Sequence, residues 1–317
     1  MVTGTRPGSW RRTRSATSSP RSRRPSGSSA LPGDTHGLIV VDKPAGWTSH
    51  DVVARCRKVF GQKRVGHSGT LDPDATGVLL VGLGRATRLL RFLTDLPKRY
   101  TGTVVLGVAT STLDASGDVV GEWDMSAVTV DDARRVVAAS LTGDILQVPP
   151  MVSALKVDGK RLHELARAGV EVERDPRPVT IHRFEVTDGP RPSTLSIDVT
   201  CSSGTYVRTL AADLGVALGG GAHLADLRRT EIGSFTLADA VALEDATPEH
   251  ALAPVDALRD YPSVTVDADG ARDVGHGKRL TLDPSAMPAG PYRVVDADGR
   301  LLAVYDGNRP EVVLATG

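Results

Sequence analysis

The sequence has little cysteine, no long apolar run and no net charge, and each shortage closes off a class of protein. Cys56 and Cys201 are the only cysteines, far apart and in no Cys-x-x-Cys pair, so neither a disulfide framework nor a thiolate zinc site is indicated. A reducing compartment fits best. No apolar run approaches the ~18 residues that a membrane span requires. Basic and acidic residues balance at 38 each, but unevenly: residues 1–36 hold seven Arg and one Asp, which leaves this tail at +6 and the remainder at −6. A nucleic-acid site in the folded part must then be a local patch.

The tail is Ser, Arg, Pro and Gly with hardly an apolar residue; it cannot bury enough surface to order itself and reads as disordered. It lacks the apolar h-region of a secretion signal. Prolines at 7, 20, 25 and 32 oppose the amphipathic helix of an organelle transit peptide, which leaves weak attraction to RNA or a start codon assigned too early. The chain as a whole, 317 residues and 40% hydrophobic, has room for one large and one small domain.

What is present starts with GLIVVDKPAGW, an apolar run from Leu38 to Val41 closed by Lys43-Pro44 and Gly46, the pattern of a strand ending in a turn. A helix is expected next, capped by Thr48 or Ser49 and carrying Val52, Val53, Cys56 and Val59 at helical spacing. Val78 to Leu83 reads as a buried strand, and Thr87 to Leu93 as a short helix on which Arg85, Arg88 and Arg91 make one face basic. Tyr100 opens a further strand, VDDARRVVAASLTG is a capped helix, and SALKVDGKRLHELARAG a turn at Asp158-Gly159 leading into a helix that ends at Gly169. Leu195 to Cys201 alternates like a half-buried strand, and Gly204 turns it into a helix. Strands and helices interleave without a regular repeat, which favours an α+β fold over a barrel. A linker, ATPEHALAPVDALRD, precedes short runs such as YRVVD and LLAVYD, so a small β-rich appendage is expected at the C-terminus.

The segment VGHSGTLDPDATGV, Val65 to Val78, sets glycines around two carboxylates and looks like a loop that presents one of them. Several chemistries share its letters. An EF-hand beginning at Asp72 would need Glu where Leu83 stands. A phosphate-cradling P-loop needs Lys where Val78 stands, and is excluded. A haloacid-dehalogenase-like phosphatase, with Asp72 as nucleophile, would need a continuous apolar strand in place of VGHSGT. The bland alternative is an Asx turn around Pro73.

Five blocks in order decide among these: GLIVVDKPAGWTSHDVV, GHSGTLDPDATGVLLVGLGRATR, KRYTGTVVLG, VPPMVSALKVDGKRLHELAR and CSSGTYVRTLAADLG. Together they strongly resemble the tRNA pseudouridine synthase B family over residues 37 to about 240. The resemblance implies a pseudouridine synthase fold, with a central mixed or antiparallel sheet flanked by helices, in residues 37–255, after a disordered 1–36. Residues 256–317 would form a small PUA-like domain, where VGHGKRL could be a glycine-basic loop but the segment is short for such a domain. It also implies the activity: isomerisation of uridine 55 in the T loop of tRNA to pseudouridine, with no cofactor and no metal, by a cytoplasmic monomer.

Carried over position by position, Asp72 in GTLDPDATG matches the family's nucleophile and Asp74 a variable position. Breaking the N-glycosidic bond calls for a small ionised nucleophile, attacking either uracil C6 or ribose C1′. Arg208 in GTYVRT matches the family arginine expected to pair with Asp72 and hold its charge against burial. Tyr100 matches the tyrosine that stacks on the base and helps remove its C5 proton, Tyr206 an aromatic supporting the pocket, and His67 a loop histidine that contacts RNA near the displaced nucleotide. Lys43 and Pro44 match a KPxG motif bracing the loop, with Lys43 also counted among substrate contacts. Extruding the uridine costs a few kcal/mol, to be repaid by phosphate contacts. The candidates are Lys63, Arg64, the Arg85, Arg88 and Arg91 face, Lys156, Lys160, Arg161, Arg228 and Arg229. The rival reading from another class is an RNA chaperone that folds tRNA with catalysis secondary.

Overall fold

The computed structural model describes residues 1, 35–153, 156–157, 160–161, 170, 172–281 and 287–314. Residues 2–34 of the tail and the helix expected to end at Gly169 lie outside these residues. Two sheets organise what is described. Strands β1 (Gly37–Lys43), β2 (Val65–Ser68), β3 (Thr76–Leu83) and β4 (Lys98–Leu106) come first. A small hairpin, β5 (Val108–Thr110) with β6 (Val119–Glu122), and then β7 (Gly143–Gln147) follow. Two-residue strands β8 (Lys156–Val157) and β9 (Lys160–Arg161) pair with each other. Next are β10 (Arg177–Asp188), β11 (Thr194–Cys201), β12 (Ala222–Ile232), β13 (Phe235–Thr236) and β14 (Val241–Ala242). The central sheet runs β14-β1-β3-β12-β4-β11-β10-β7, with β13 on β12 and β2 on β3; β1–β14 and β3–β12 are parallel and the rest antiparallel. It is the mixed sheet that the resemblance implies.

The alternation within β1 and β3 explains their burial on both faces. Ile39, Val41, Leu79 and Val81 point to one side, where helix α1 (Ser49–Val59) lays down Val52, Val53 and Cys56. Leu38, Val40, Val78 and Leu80 point to the other, meeting Leu89, Phe92 and Leu93 of a 3₁₀ turn, Gly84–Leu89, and helix α2 (Leu90–Thr94). Thr48 caps α1 and Thr129 caps α3 (Val130–Ser140) through the same reciprocal box with Asp51 and Asp132. Helix α3 and helix α4 (Val207–Ala217) cover β4, β10, β11 and β12 through Val137, Leu210, Ala211 and Leu214.

The C-terminal sheet is β15 (Ser263–Thr265), β16 (Pro291–Val295), β17 (Leu301–Asp306) and β18 (Arg309–Val313), in that order, with helix α5 (Ala268–Gly275) against it. Val304 and Val312 reach the same core as Leu38 and Phe92. The stretch 246–260 is no free tether. Leu252 exchanges backbone bonds with Leu38 at 3.0 and 2.7 Å, and Ala257 and Leu258 are fully buried, because its alternating small apolar residues pack on β1 and α2.

Edge strand β18 would leave carbonyls unpaired, and the basic face meets them. Arg88 Nη1 donates to the Val313 carbonyl at 2.6 Å, Arg91 Nη2 to the Glu311 carbonyl at 2.9 Å and its carboxylate at 2.7 Å, and Arg85 Nη1 to the Leu314 carbonyl at 3.4 Å. These arginines, expected to serve RNA phosphate, are drawn onto a strand edge in the structure.

Candidate active site

The loop between β2 and β3, residues 69–75, is held at alternate carbonyls by side chains that are almost wholly enclosed. Lys43, Ser49 and Arg229 are 0%, 1% and 1% exposed. Arg229 Nη2 donates to the Gly69 carbonyl at 3.0 Å; Ser49 Oγ donates to the Leu71 carbonyl at 3.1 Å and accepts from its N–H at 2.9 Å. Lys43 Nζ donates to the Pro73 carbonyl at 2.8 Å and to those of Pro44 and Trp47 at 2.9 and 2.6 Å, and Gly46 N–H adds a second bond to Pro73. The Ser49–Leu71 bonds are buried, and leaving the Leu71 carbonyl unpaired there would cost about 1–3 kcal/mol. Gly77 lets the loop rejoin the sheet: its φ is 102°, and a Cβ there would lie 2.1 Å from the Arg229 carbonyl oxygen.

Thr70, Pro73 and Asp74 are the exposed residues of this loop, and Asp72, half-buried, turns its carboxylate to Arg208. Arg208 Nε lies 3.0 Å from Asp72 Oδ2 and Nη2 donates to Oδ1 at 3.3 Å, a two-pronged pair. The guanidinium, 4% exposed, also donates to the carbonyls of Thr112 and Val152, each at 2.8 Å, and faces Asp114 Oδ2 at 3.4 Å. Arg208 is the second residue of α4, where the helix dipole disfavours a cation, so these two carboxylates are what make its position tolerable. Burial pushes the Asp72 carboxyl above the usual carboxylate range; Arg208 pulls it back, and Asp114 adds to the rise. Arg208 thus opposes the effect of burial on Asp72.

The pair sits between two cavities. One, about 310 Å³, is lined by Tyr100, Tyr206, Leu71, Leu227, Ser153 and the pair itself. The other, about 500 Å³, continues past Pro73, Asp74 and Asp114. Both fall in the range of small-ligand sites. A bulge in β12 between Ala225 and Arg228, with Asp226 at φ 53°, puts Leu227 on the wall of both. Tyr100, on β4, is buried; burial pushes its phenol up, and the Arg229 charge pulls it down. Tyr206 caps α4, with its backbone N–H and carbonyl both bonded by the enclosed amide of Gln147 at 2.7 and 3.1 Å.

Asp72, Tyr100, Tyr206 and Arg208 are therefore gathered at one cavity. His67 is on β2, edge to face with His50 at 5.3 Å; burial pushes its ring down to about 4, so it is neutral at physiological pH. Lys63 and Arg64 are exposed near the start of β2, with Arg64 Nε donating to Thr87 Oγ1 at 3.1 Å. Lys156, Lys160 and Arg161 lie on β8 and β9, and their side chains fall outside the described residues. Arg228 is tied to Asp42 at 2.6 Å. Two expectations are corrected here. Lys43 is enclosed and its ammonium, pushed down to about 8 by burial, braces the loop rather than meeting a substrate. Arg229 is likewise spent, on the Gly69 and Val78 carbonyls, and does not meet phosphate.

Asp114, Gln147 and Ser49 were not legible as site residues. Asp114 reaches Arg208 because the segment after β5 lies along β12, with Ala115 N–H bonded to the Leu224 carbonyl at 3.0 Å. No motif announces a contact made through sheet register. Among the described residues no group of three or more His, Cys, Asp or Glu is gathered to hold a metal ion.

Comparison with known proteins agrees with this geometry. The family model for the N-terminal domain of TruB family pseudouridylate synthases matches residues 57–207, that for the tRNA pseudouridylate synthase B C-terminal domain matches 208–259, and that for the C-terminal part of tRNA pseudouridine synthase II matches 261–313. The tRNA pseudouridine synthase B of Rhodococcus jostii (strain RHA1) is 50% identical over 288 residues, 88% of this chain and 93% of its own. That of Thermobifida fusca (strain YX) is 46% identical over 293 residues, 88% of this chain and 98% of its own. The crystal structure of a Cbf5-Nop10-Gar1 complex contains a chain that superposes with a TM-score of 0.68 at 26% identity, covering 89% of this chain and 84% of that one. The pseudouridine synthase fold is the one described above, and the chain belongs to the TruB family of pseudouridylate synthases.

Proposed function

We propose that this chain isomerises uridine 55 in the T loop of tRNA to pseudouridine, with Asp72 as the nucleophile. The observation that carries the reading is the Asp72–Arg208 pair at 3.0 Å on the wall of a cavity shared with Tyr100 and Tyr206. The reaction breaks the N1–C1′ bond, turns the uracil and joins C5 to C1′; the C5 proton leaves and N1 gains one, so no electrons are exchanged with another molecule. Attack at C6 and attack at C1′ both use the same anion, and the clamped carbonyls of the loop fix where it stands. The Tyr100 ring serves as a stacking wall. To take the C5 proton the phenol must first give its own proton to solvent, and the neighbouring Arg229 charge, which works against the rise caused by burial, favours that phenolate.

The target base lies in a folded arm and is extruded before it can reach the cavity. Exposed Lys63 and Arg64, and His67 nearby, are the RNA contacts that this geometry favours; Lys156, Lys160 and Arg228 are further candidates by position. Residues 37–255 form the catalytic region and 256–317 the appendage. The same reading makes the protein a cytoplasmic monomer that needs neither metal nor cofactor; no described helix is long and apolar enough to cross a membrane. The test is to map pseudouridine in a tRNA transcript incubated with purified protein and a chelator. Modification confined to position 55 supports the reading. Loss of all activity with the chelator, or modification elsewhere only, contradicts it.

A further inference from the structure

A groove on the outer side of α1 begins where the second cavity ends. Residues 44–47 thread between the two: Ala45 lines the cavity beside Pro73 and Asp74, while Pro44, Gly46 and Trp47 line the groove. Gly46 N–H donates to the Pro73 carbonyl at 3.0 Å, so the partition is bonded to the loop that carries Asp72. The groove holds about 770 Å³.

Three of its side chains have no task in the fold. Trp47 is 39% exposed, yet its carbonyl is fixed at 2.6 Å by the enclosed Lys43 ammonium, so a large apolar ring is presented to solvent from rigid backbone. Arg55 and Lys58 stand one turn apart on α1, both exposed, neither ion-paired with a described residue. The carboxylates facing the groove are Asp51 and Glu244. Asp51 is already engaged by the Thr48 N–H and hydroxyl at 2.9 and 2.6 Å, which leaves two open cations against Glu244.

We propose that this groove is a second RNA subsite, taking an unpaired nucleotide of the same tRNA with its base stacked on Trp47 and its phosphate on Arg55 and Lys58. The proposal rests on the pseudouridine synthase reading, which puts an RNA strand in the adjoining cavity; a strand leaving that cavity over Ala45 and Gly46 meets Trp47 next. An aromatic face accepts any base, so the subsite adds grip without selecting sequence. The two cations add a phosphate contribution that salt weakens.

The experiment uses the full chain and a tRNA transcript. Dissociation constants are measured for wild type, Trp47→Ala, Trp47→Phe and the double variant Arg55→Gln/Lys58→Gln between about 50 and 200 mM salt, with turnover at saturating tRNA alongside. The expected results are affinity about tenfold weaker in Trp47→Ala, largely restored in Trp47→Phe, and a salt slope lower by about 1.5 in the double variant. Turnover at saturation stays within about twofold throughout. An unchanged affinity in Trp47→Ala, an equal loss in Trp47→Phe, or an unchanged slope in the double variant overturns the proposal. Wild-type protein that forms no pseudouridine in any tRNA instead overturns the reading beneath it.

Discussion

Arg208 and Arg229 are enclosed and aim their guanidinium groups at the loop bearing Asp72, whereas Arg85, Arg88 and Arg91 stand at or near the surface and aim theirs at the last strand of the C-terminal sheet. In the sequence the two groups look alike: basic residues in a chain expected to bind RNA. Burial separates them. An enclosed cation must find several acceptors at once, and in this fold those acceptors are the carbonyls and carboxylates of the site, so the cost of burial becomes rigidity where the chemistry needs it. A surface cation is held by strand carbonyls at little net energy, and its work is to close an edge. Both sets therefore hold acceptors of the protein itself.

The buried side of this contrast is the easier to break. Arg208→Lys keeps the charge but loses the fork that spans Asp72, Asp114 and two carbonyls, and should lower kcat about a hundredfold with tRNA affinity within about twofold; a drop of less than about threefold would mean that charge alone suffices. Arg229→Met leaves the Gly69 and Val78 carbonyls without their donor and should cost on the order of 3 kcal/mol in urea unfolding. A cost below about 1 kcal/mol would show the clamp to be dispensable.

His67 sharpens the same side through pH. Burial, with His50 and Arg229, pushes its ring down to about 4 from an ordinary 6.5, so between those values the unfolded chain binds the extra proton. The stability tied to the neutral ring is complete above pH 6.5 and lost as pH falls toward 4. His67→Gln should flatten that stretch of the stability curve, measured by thermal melting at stepped pH; an unchanged acid limb contradicts the assignment. The smallest effect belongs to the surface set. Arg88→Ala/Arg91→Ala should loosen the C-terminal sheet, seen as faster proteolysis there, at about 1 kcal/mol, while the salt slope of tRNA binding stays put. A slope lower by 1 or more would return these arginines to the RNA-binding face.

Much of this was legible from the chain. The Leu38 to Val41 run, the Thr48 cap, the VDDARRVVAAS helix and the Leu195 to Cys201 alternation each became the element expected, because their local patterns carry their own periodicity. The Asp72–Arg208 pairing came from the resemblance to a family and stands in the structure at 3.0 Å. What escaped was whatever depends on register or enclosure. Strand β12, whose bulge shapes both cavities, has mixed burial that no simple period marks. Asp114 joins Arg208 across ninety-odd residues through a loop laid along that strand, and nothing about Lys43 or Arg229 as letters tells that each lies inside the molecule.

The central claim is that one loop carboxylate performs the chemistry while other groups hold the RNA. Asp72→Asn preserves the size of the side chain and removes its charge, so binding of a T-arm stem-loop and pseudouridine formation in it should be measured on the same preparation. The account predicts affinity within about twofold of wild type and turnover lower by at least about a thousandfold. Turnover within about tenfold of wild type would contradict it.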